Sequence, residues 1–145
     1  MNNLLEHIWD EYTFILRKDI FKNKDILELK STKDIFYDLC DILIKEHGNF
    51  KNKYYRDENN YGILNPIHLE HFARLSYYYS RRLFLTGFNK IILDKLFHII
   101  KSKCAIDLFY EFDIQKYFFP AHAFGTVMGR ANYGKYFIIG QNCTV

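Results

Sequence analysis

The stretch AHAFGTVMGRANYGKYFIIGQNCTV, residues 121–145, limits the fold more tightly than any other part of the chain. Val127, Tyr133, Ile139 and Val145 are apolar and fall six residues apart, and two places before each stand Gly125, Ala131, Phe137 and Cys143. Gly134 and Gly140 each follow a member of the first series. A helix cannot keep such a pattern on one face, because residues six apart are rotated by roughly 240°. A flat strand would keep the apolar series on one side but gives no reason for the repeating glycines. A parallel β-helix of hexapeptides accounts for both. Each unit forms one side of a triangular coil, an apolar residue points inward, and a small residue turns the corner. The competing structure is a glycine-bearing strand–turn–strand hairpin.

The preceding residues have a different texture. Leu5, Ile8, Trp9, Tyr12, Ile15 and Leu16 share one face of an amphipathic helix. KNKDILELKS reads as a charged connector or a short helix. The stretch from Ser31 to Asn49 reads as a helix with Ile35, Leu39, Ile42 and Leu43 as its stripe, and Gly48 and Asn49 as its stop. NFKNKYYRDENNYGILN reads as a loop. Asn65 then caps a further helix with Pro66 at its first position. That helix runs to about Gly87, and NKIILDKLFHIIKSKC follows as another. From Ile106 onward no helical stripe remains, and Pro120 leads into the glycine-bearing tail. The expected fold class is α+β: an α-helical domain over residues 1–106, then the first coil of a left-handed parallel β-helix over residues 107–145.

Composition excludes several classes. Hydrophobic residues make up 49% of the chain, enough for a sizeable core, and 2 prolines with 7 glycines fit neither collagen nor a disordered linker. A net charge of +3 is too small to argue for a nucleic-acid partner. Cys40, Cys104 and Cys143 are widely spaced with no CxxC, which fits neither a disulfide framework nor a zinc site and points to a reduced, cytoplasmic setting. Glu6, Asp10 and Glu11 interrupt the first apolar run, so it does not read as a signal peptide. No apolar run approaches the ~20 residues that span a bilayer.

The residues of the tail resemble the start of the hexapeptide domain of serine O-acetyltransferases. The pattern is carried by His122, Gly125, Val127, Gly129, Ala131, Gln141 and Thr144. The order of helices first and left-handed β-helix second is also similar to that family. HLEHFARLSYYYSRRLFLTGFNKIILDKL resembles its helix pair before the coil, with His71 and Arg74 at corresponding places, and YEFDI resembles the motif that opens the first coil. The resemblance covers residues 65–145, and its specific part runs from His122 to Thr144.

That resemblance implies an enzyme that moves an acetyl group from acetyl-CoA, a co-substrate and not a bound cofactor, to the hydroxyl of L-serine in cysteine biosynthesis. It implies His122 as general base, with Asp113 as the carboxylate that orients it, and Arg130 and Gly125 on the substrate side. Histidine suits the work because its pKa lies near neutrality and its second nitrogen can be fixed by an acid. In the family the orienting Asp lies about one hexad farther from the histidine than Asp113 does, which leaves Glu111 and Asp107 as alternatives. The family commonly places Asp directly before the histidine; here Ala121 stands there. A sugar hydroxyl is therefore a second possible acceptor. The resemblance also implies a homo-oligomer, a trimer or a dimer of trimers, in which the pantetheine arm of CoA lies along later coils between subunits. With only the first coil, this chain is expected to bind acetyl-CoA poorly. A third possibility is a non-catalytic chain whose helices mediate assembly.

Other candidates reduce to packing. His68 and His71 share a helix face at a spacing that suits a metal pair, but no HExxH or Cys partner accompanies them, so capping or packing is expected. YYYSRR sets aromatics beside arginines as RNA-stacking surfaces do, yet it lies within a helical pattern, half core and half solvated. Cys143 falls at an inward hexad position and reads as a small core residue.

Overall fold

A computed structural model describes residues 2–145. Five helices come first: α1 (Asn2–Arg17), α2 (Asn23–Lys30), α3 (Lys33–Gly48), α4 (Leu69–Leu85) and α5 (Lys90–Cys104). Short strands follow: β1 (Ile106–Asp107), β2 (Phe119–Pro120), β3 (Thr126–Val127) and β4 (Ile138–Ile139). The architecture is α+β, helical with a few short parallel strands.

The α1 stripe packs as its spacing predicts. Leu5, Ile8, Trp9, Tyr12 and Leu16 are buried, and Ile15 packs against them in part. Tyr12 joins three helices, its ring 5.1 Å from Phe36 of α3 and 5.5 Å from Phe72 of α4, while its hydroxyl donates to Ser76 Oγ at 3.1 Å. A buried phenol is tolerated when its polar end is satisfied in this way. The charged connector resolves as helix α2. Asp25 opens it by accepting the Lys22 N–H at 2.7 Å, and its carboxylate also pairs with Lys95 of α5 at 2.6 Å.

Helix α4 begins at Leu69, later than the Asn65–Pro66 signal indicates. Asn65 Oδ1 accepts the Ile67 N–H at 2.9 Å, and its carbonyl accepts the His68 N–H at 3.1 Å. A side chain that satisfies a nearby N–H offers the backbone a turn instead of a helix. Asn89 does cap α5, accepting the Ile91 N–H at 3.0 Å. Ala105 ends α5 in the left-handed region, φ 51, and turns the chain into β1.

The tail pairs in parallel, not as a hairpin. Ile106 pairs with Thr126 and Asp107 with Val127; Phe119 pairs with Ile138 and Pro120 with Ile139. Single parallel bridges join Ile114 to Tyr133 and Val127 to Thr144. The chain thus visits three pairing sites in one order, visits them again in the same order, and reaches the first once more at Thr144. Aromatic rings follow the same displacement: Tyr117 stacks on Tyr136 at 4.7 Å and Phe118 on Phe137 at 6.1 Å. Pro120 fits in β2 because the donors to the neighbouring segment are Phe119 N–H and Ala121 N–H, on either side of it.

The inward series differs from the hexad reading at both ends. Tyr133 and Ile139 are buried, but Val127 is 42% exposed and Val145 is 52% exposed. In β3 alternation turns Thr126 inward and Val127 outward, and Met128 is buried beyond it. The buried Thr126 hydroxyl is satisfied: it donates to the Gly140 carbonyl at 2.7 Å and accepts the Cys143 N–H at 3.3 Å. Cys143 is half-buried at the edge of the core.

Helix α4 clamps the first pass of the tail. The Tyr77 hydroxyl donates to the Phe112 carbonyl at 2.6 Å and accepts the Ile114 N–H at 2.9 Å. Tyr78 donates to the Gln115 carbonyl at 2.8 Å. YYYSRR therefore divides, with Tyr77, Tyr79 and Ser80 buried and both arginines half-exposed. A buried ion pair adds a second tie: Arg74 Nη2 donates to Glu46 Oε2 of α3 at 2.8 Å, and that oxygen also faces the Tyr117 N–H at 3.4 Å. Among the described residues no helix is long and apolar enough to cross a membrane.

Candidate active site

His122 occupies a corner after β2. Its φ of 50 places it in the left-handed region, where an L-residue costs roughly 1–2 kcal/mol. The corner is closed by the Phe124 N–H, which donates to the His122 carbonyl at 2.7 Å. The imidazole is 88% exposed. Its own backbone N–H donates to Glu70 Oε1 at 2.8 Å, and its Nδ1 lies 3.4 Å from the same oxygen.

Glu70 is held in place from below. It sits in the first turn of α4, where the helix dipole favours a carboxylate. Its Oε2 accepts the Tyr55 hydroxyl at 3.1 Å. Tyr55 is fully buried although it lies in the polar loop between α3 and α4. The His47, His71 and Phe119 rings surround it at 4.6, 4.4 and 5.0 Å. Burial pushes the Tyr55 hydroxyl far above its ordinary pKa, and the neighbouring Glu70 charge adds to this, so it remains a donor to Glu70. The loop itself is pinned by Gly62, where an added Cβ would come 1.7 Å from the Ile44 carbonyl oxygen of α3.

The His122 imidazole thus has a carboxylate on Nδ1, leaving Nε2 toward solvent. That is the arrangement of a general base whose second nitrogen is oriented by an acid. The 3.4 Å separation is longer than a full hydrogen bond. Beside the pair lies a cavity of about 660 Å³, walled by the N-terminal turn of α4, the end of α5, β1, β2 and residues 121–124.

The expected orienting carboxylates lie elsewhere. Asp113 is exposed and lines a different cavity of about 360 Å³, with Glu46, Arg81 and Lys135. It precedes the Ile114–Tyr133 bridge, whereas His122 follows the Phe119–Ile138 pairing, so the two belong to different sides of the winding. Asp107 pairs with Lys101 at 2.5 Å, and the Glu111 carbonyl accepts from Arg81 at 3.0 Å. The carboxylate that stands beside His122 is Glu70, between His68 and His71 in the sequence; nothing local in HLEHF marks it, because the contact spans 52 residues.

Gly125 serves the backbone. Its φ is 73, its N–H donates to the Ala105 carbonyl at 2.9 Å, and a Cβ would come 2.4 Å from Asn142 Oδ1. Arg130 is exposed beyond β3. His71 and Arg74 are both fully buried. His71 Nδ1 accepts the Asn65 N–H at 3.1 Å, so it fastens the turn before α4. Burial, with His68 and Arg74 nearby, pushes the His71 imidazole down to about 3. His68 packs its ring 4.5 Å from that of His71. Among the described residues no group of three or more His, Cys, Asp or Glu could hold a metal ion. No protein-family model matches this chain, and no curated protein or solved structure matches it.

Proposed function

We propose that this chain performs acyl transfer from acetyl-CoA to a hydroxyl acceptor, as serine O-acetyltransferases do, with His122 as general base and Glu70 as the carboxylate that orients it. One observation carries the reading: the His122 imidazole stands against a fixed carboxylate at the mouth of a cavity large enough for a small ligand. The three-site parallel winding of residues 106–145 supports the companion proposal that this region opens a left-handed parallel β-helix.

The step balances without another reagent. The acceptor hydroxyl gives its proton to His122 Nε2 as its oxygen attacks the thioester carbonyl carbon. The C–S bond then breaks, the CoA sulfur takes up a proton, and an acetyl ester is released. Glu70 holds the Nδ1 proton and stabilises the imidazolium that forms in between. Assembly into a homo-oligomer and a cytoplasmic setting belong to the same proposal.

The test is release of free thiol from acetyl-CoA with L-serine, sugars and simple alcohols as acceptors. His122→Ala is expected to lower the acceptor-dependent rate by roughly 10²–10⁴-fold. Absence of acceptor-dependent thiol from the folded wild-type protein, or an unchanged rate in the variant, rejects the proposal.

A further inference from the structure

The walls of the cavity beside His122 constrain what can enter it. Ile67, Leu69, Ile106, Phe119, Ala123 and Phe124 give it an apolar lining. Ile67, Leu69, Phe124 and Tyr54 on its rim are 66%, 52%, 68% and 52% exposed, an apolar surface gathered at one opening. Such a gathering marks a ligand groove or an interface more often than an ordinary surface.

The charges narrow the ligand. Among the described residues no lysine or arginine lines the cavity, and Glu70 is its one carboxylate. Lys53 is exposed and lies over the Tyr54 ring at 5.0 Å, outside the lining. The remaining titratable groups of the lining are Tyr54, His68, Cys104 and His122. Burial pushes the Cys104 thiol up to about 12, so it carries no charge at neutral pH. His122 must be neutral to accept a proton. An amino-acid acceptor would bring a carboxylate to an apolar lining that offers it no lysine or arginine and sets the Glu70 carboxylate nearby, so that charge finds no partner there. The volume of about 660 Å³ also falls in the range that takes drug-sized ligands, well beyond a three-carbon amino acid.

We propose that the acceptor bound beside His122 is an uncharged alcohol with an apolar body and not an amino-acid zwitterion. The hydroxyl lies at His122 and the apolar body extends over Leu69, Ile106 and Phe124. The term acceptor rests on the acyl-transfer reading; the binding preference does not.

The test is NMR titration of the isotope-labelled full chain with 1-hexanol and, separately, with L-serine. Hexanol is expected to shift the amides of Leu69, Ala121, Ala123 and Phe124 saturably, and L-serine at the same concentration to leave them in place. Phe124→Ser, at an exposed position that the fold does not need, is expected to weaken hexanol binding at least tenfold. Saturation of these amides by L-serine overturns the proposal. So do non-saturating hexanol shifts spread over the molecule, and so does an unchanged affinity in the variant. Movement of the same amides on concentrating the protein alone also overturns it, since a second copy would then occupy the face. Saturable hexanol binding without any thiol release rejects catalysis and leaves the binding preference standing. Serine-dependent thiol release rejects the preference and leaves catalysis standing.

Discussion

Acidification from pH 7.5 to 5.0 is expected to remove about 4 kcal/mol of stability through His47 and His71. Both side chains are fully buried. His47 Nδ1 donates to the Ile63 carbonyl at 2.5 Å and His71 Nδ1 accepts the Asn65 N–H, so the neutral rings take opposite tautomers. Burial, then Arg74 and His71, push His47 down to about 2; His71 falls to about 3. Both folded values lie below the ordinary ~6.5, so below that pH the unfolded chain binds more protons than the folded one. The stabilisation is whole above pH 6.5 and is lost as pH falls toward 3. At pH 5 the unfolded value lies about 1.5 units above the medium, worth about 2 kcal/mol for each ring at 1.36 kcal/mol per unit. That figure holds for any folded value well below 5. Against a typical stability of 5–15 kcal/mol it is a large loss. Urea unfolding followed by far-UV circular dichroism at the two pH values measures it. His71→Asn keeps an acceptor for the Asn65 N–H and is expected to halve the loss. A wild-type loss below about 1 kcal/mol, or a full loss in the variant, refutes the reasoning.

Four further substitutions test the packing. Arg74→Met leaves the buried Glu46 carboxylate unpaired and is expected to cost about 3–5 kcal/mol in urea unfolding. Tyr77→Phe strips partners from the Phe112 carbonyl and the Ile114 N–H, an expected loss of about 2–4 kcal/mol with the region 106–145 becoming more accessible to hydrogen exchange. Gly62→Ala drives a methyl into the Ile44 carbonyl and is expected to cost more than Gly125→Ala, whose positive φ costs about 1–2 kcal/mol and whose nearest obstacle is a side chain; the order of their melting temperatures checks this.

The parts legible from sequence are those governed by local periodicity. The α1 stripe and the change of texture at residue 106 are set by neighbours a few residues apart. Parallel pairing in the tail was legible from the recurrence of six, but not the turn of Val127 outward, because alternation within β3 is fixed by Thr126 bonding to Gly140 and Cys143. The Asn65–Pro66 signal puts the start of α4 too early because Asn65 uses its side chain in a turn. Tyr55 was illegible in a loop of polar residues, since its partners come from α3, α4 and β2. Glu70 was illegible for the same reason: only the return of the chain at His122 brings the two side by side.

A kinetic comparison decides whether His122 works through Glu70. Acceptor-dependent thiol release from acetyl-CoA would be measured for the wild type, Glu70→Gln and Asp113→Asn. Loss of a hydrogen bond to a charged group, worth about 1.5–3 kcal/mol, predicts a rate about 10- to 100-fold lower for Glu70→Gln. Asp113→Asn, in the other cavity, is expected to stay near the wild-type rate. A Glu70→Gln rate equal to wild type, with the loss appearing in Asp113→Asn, contradicts the pairing.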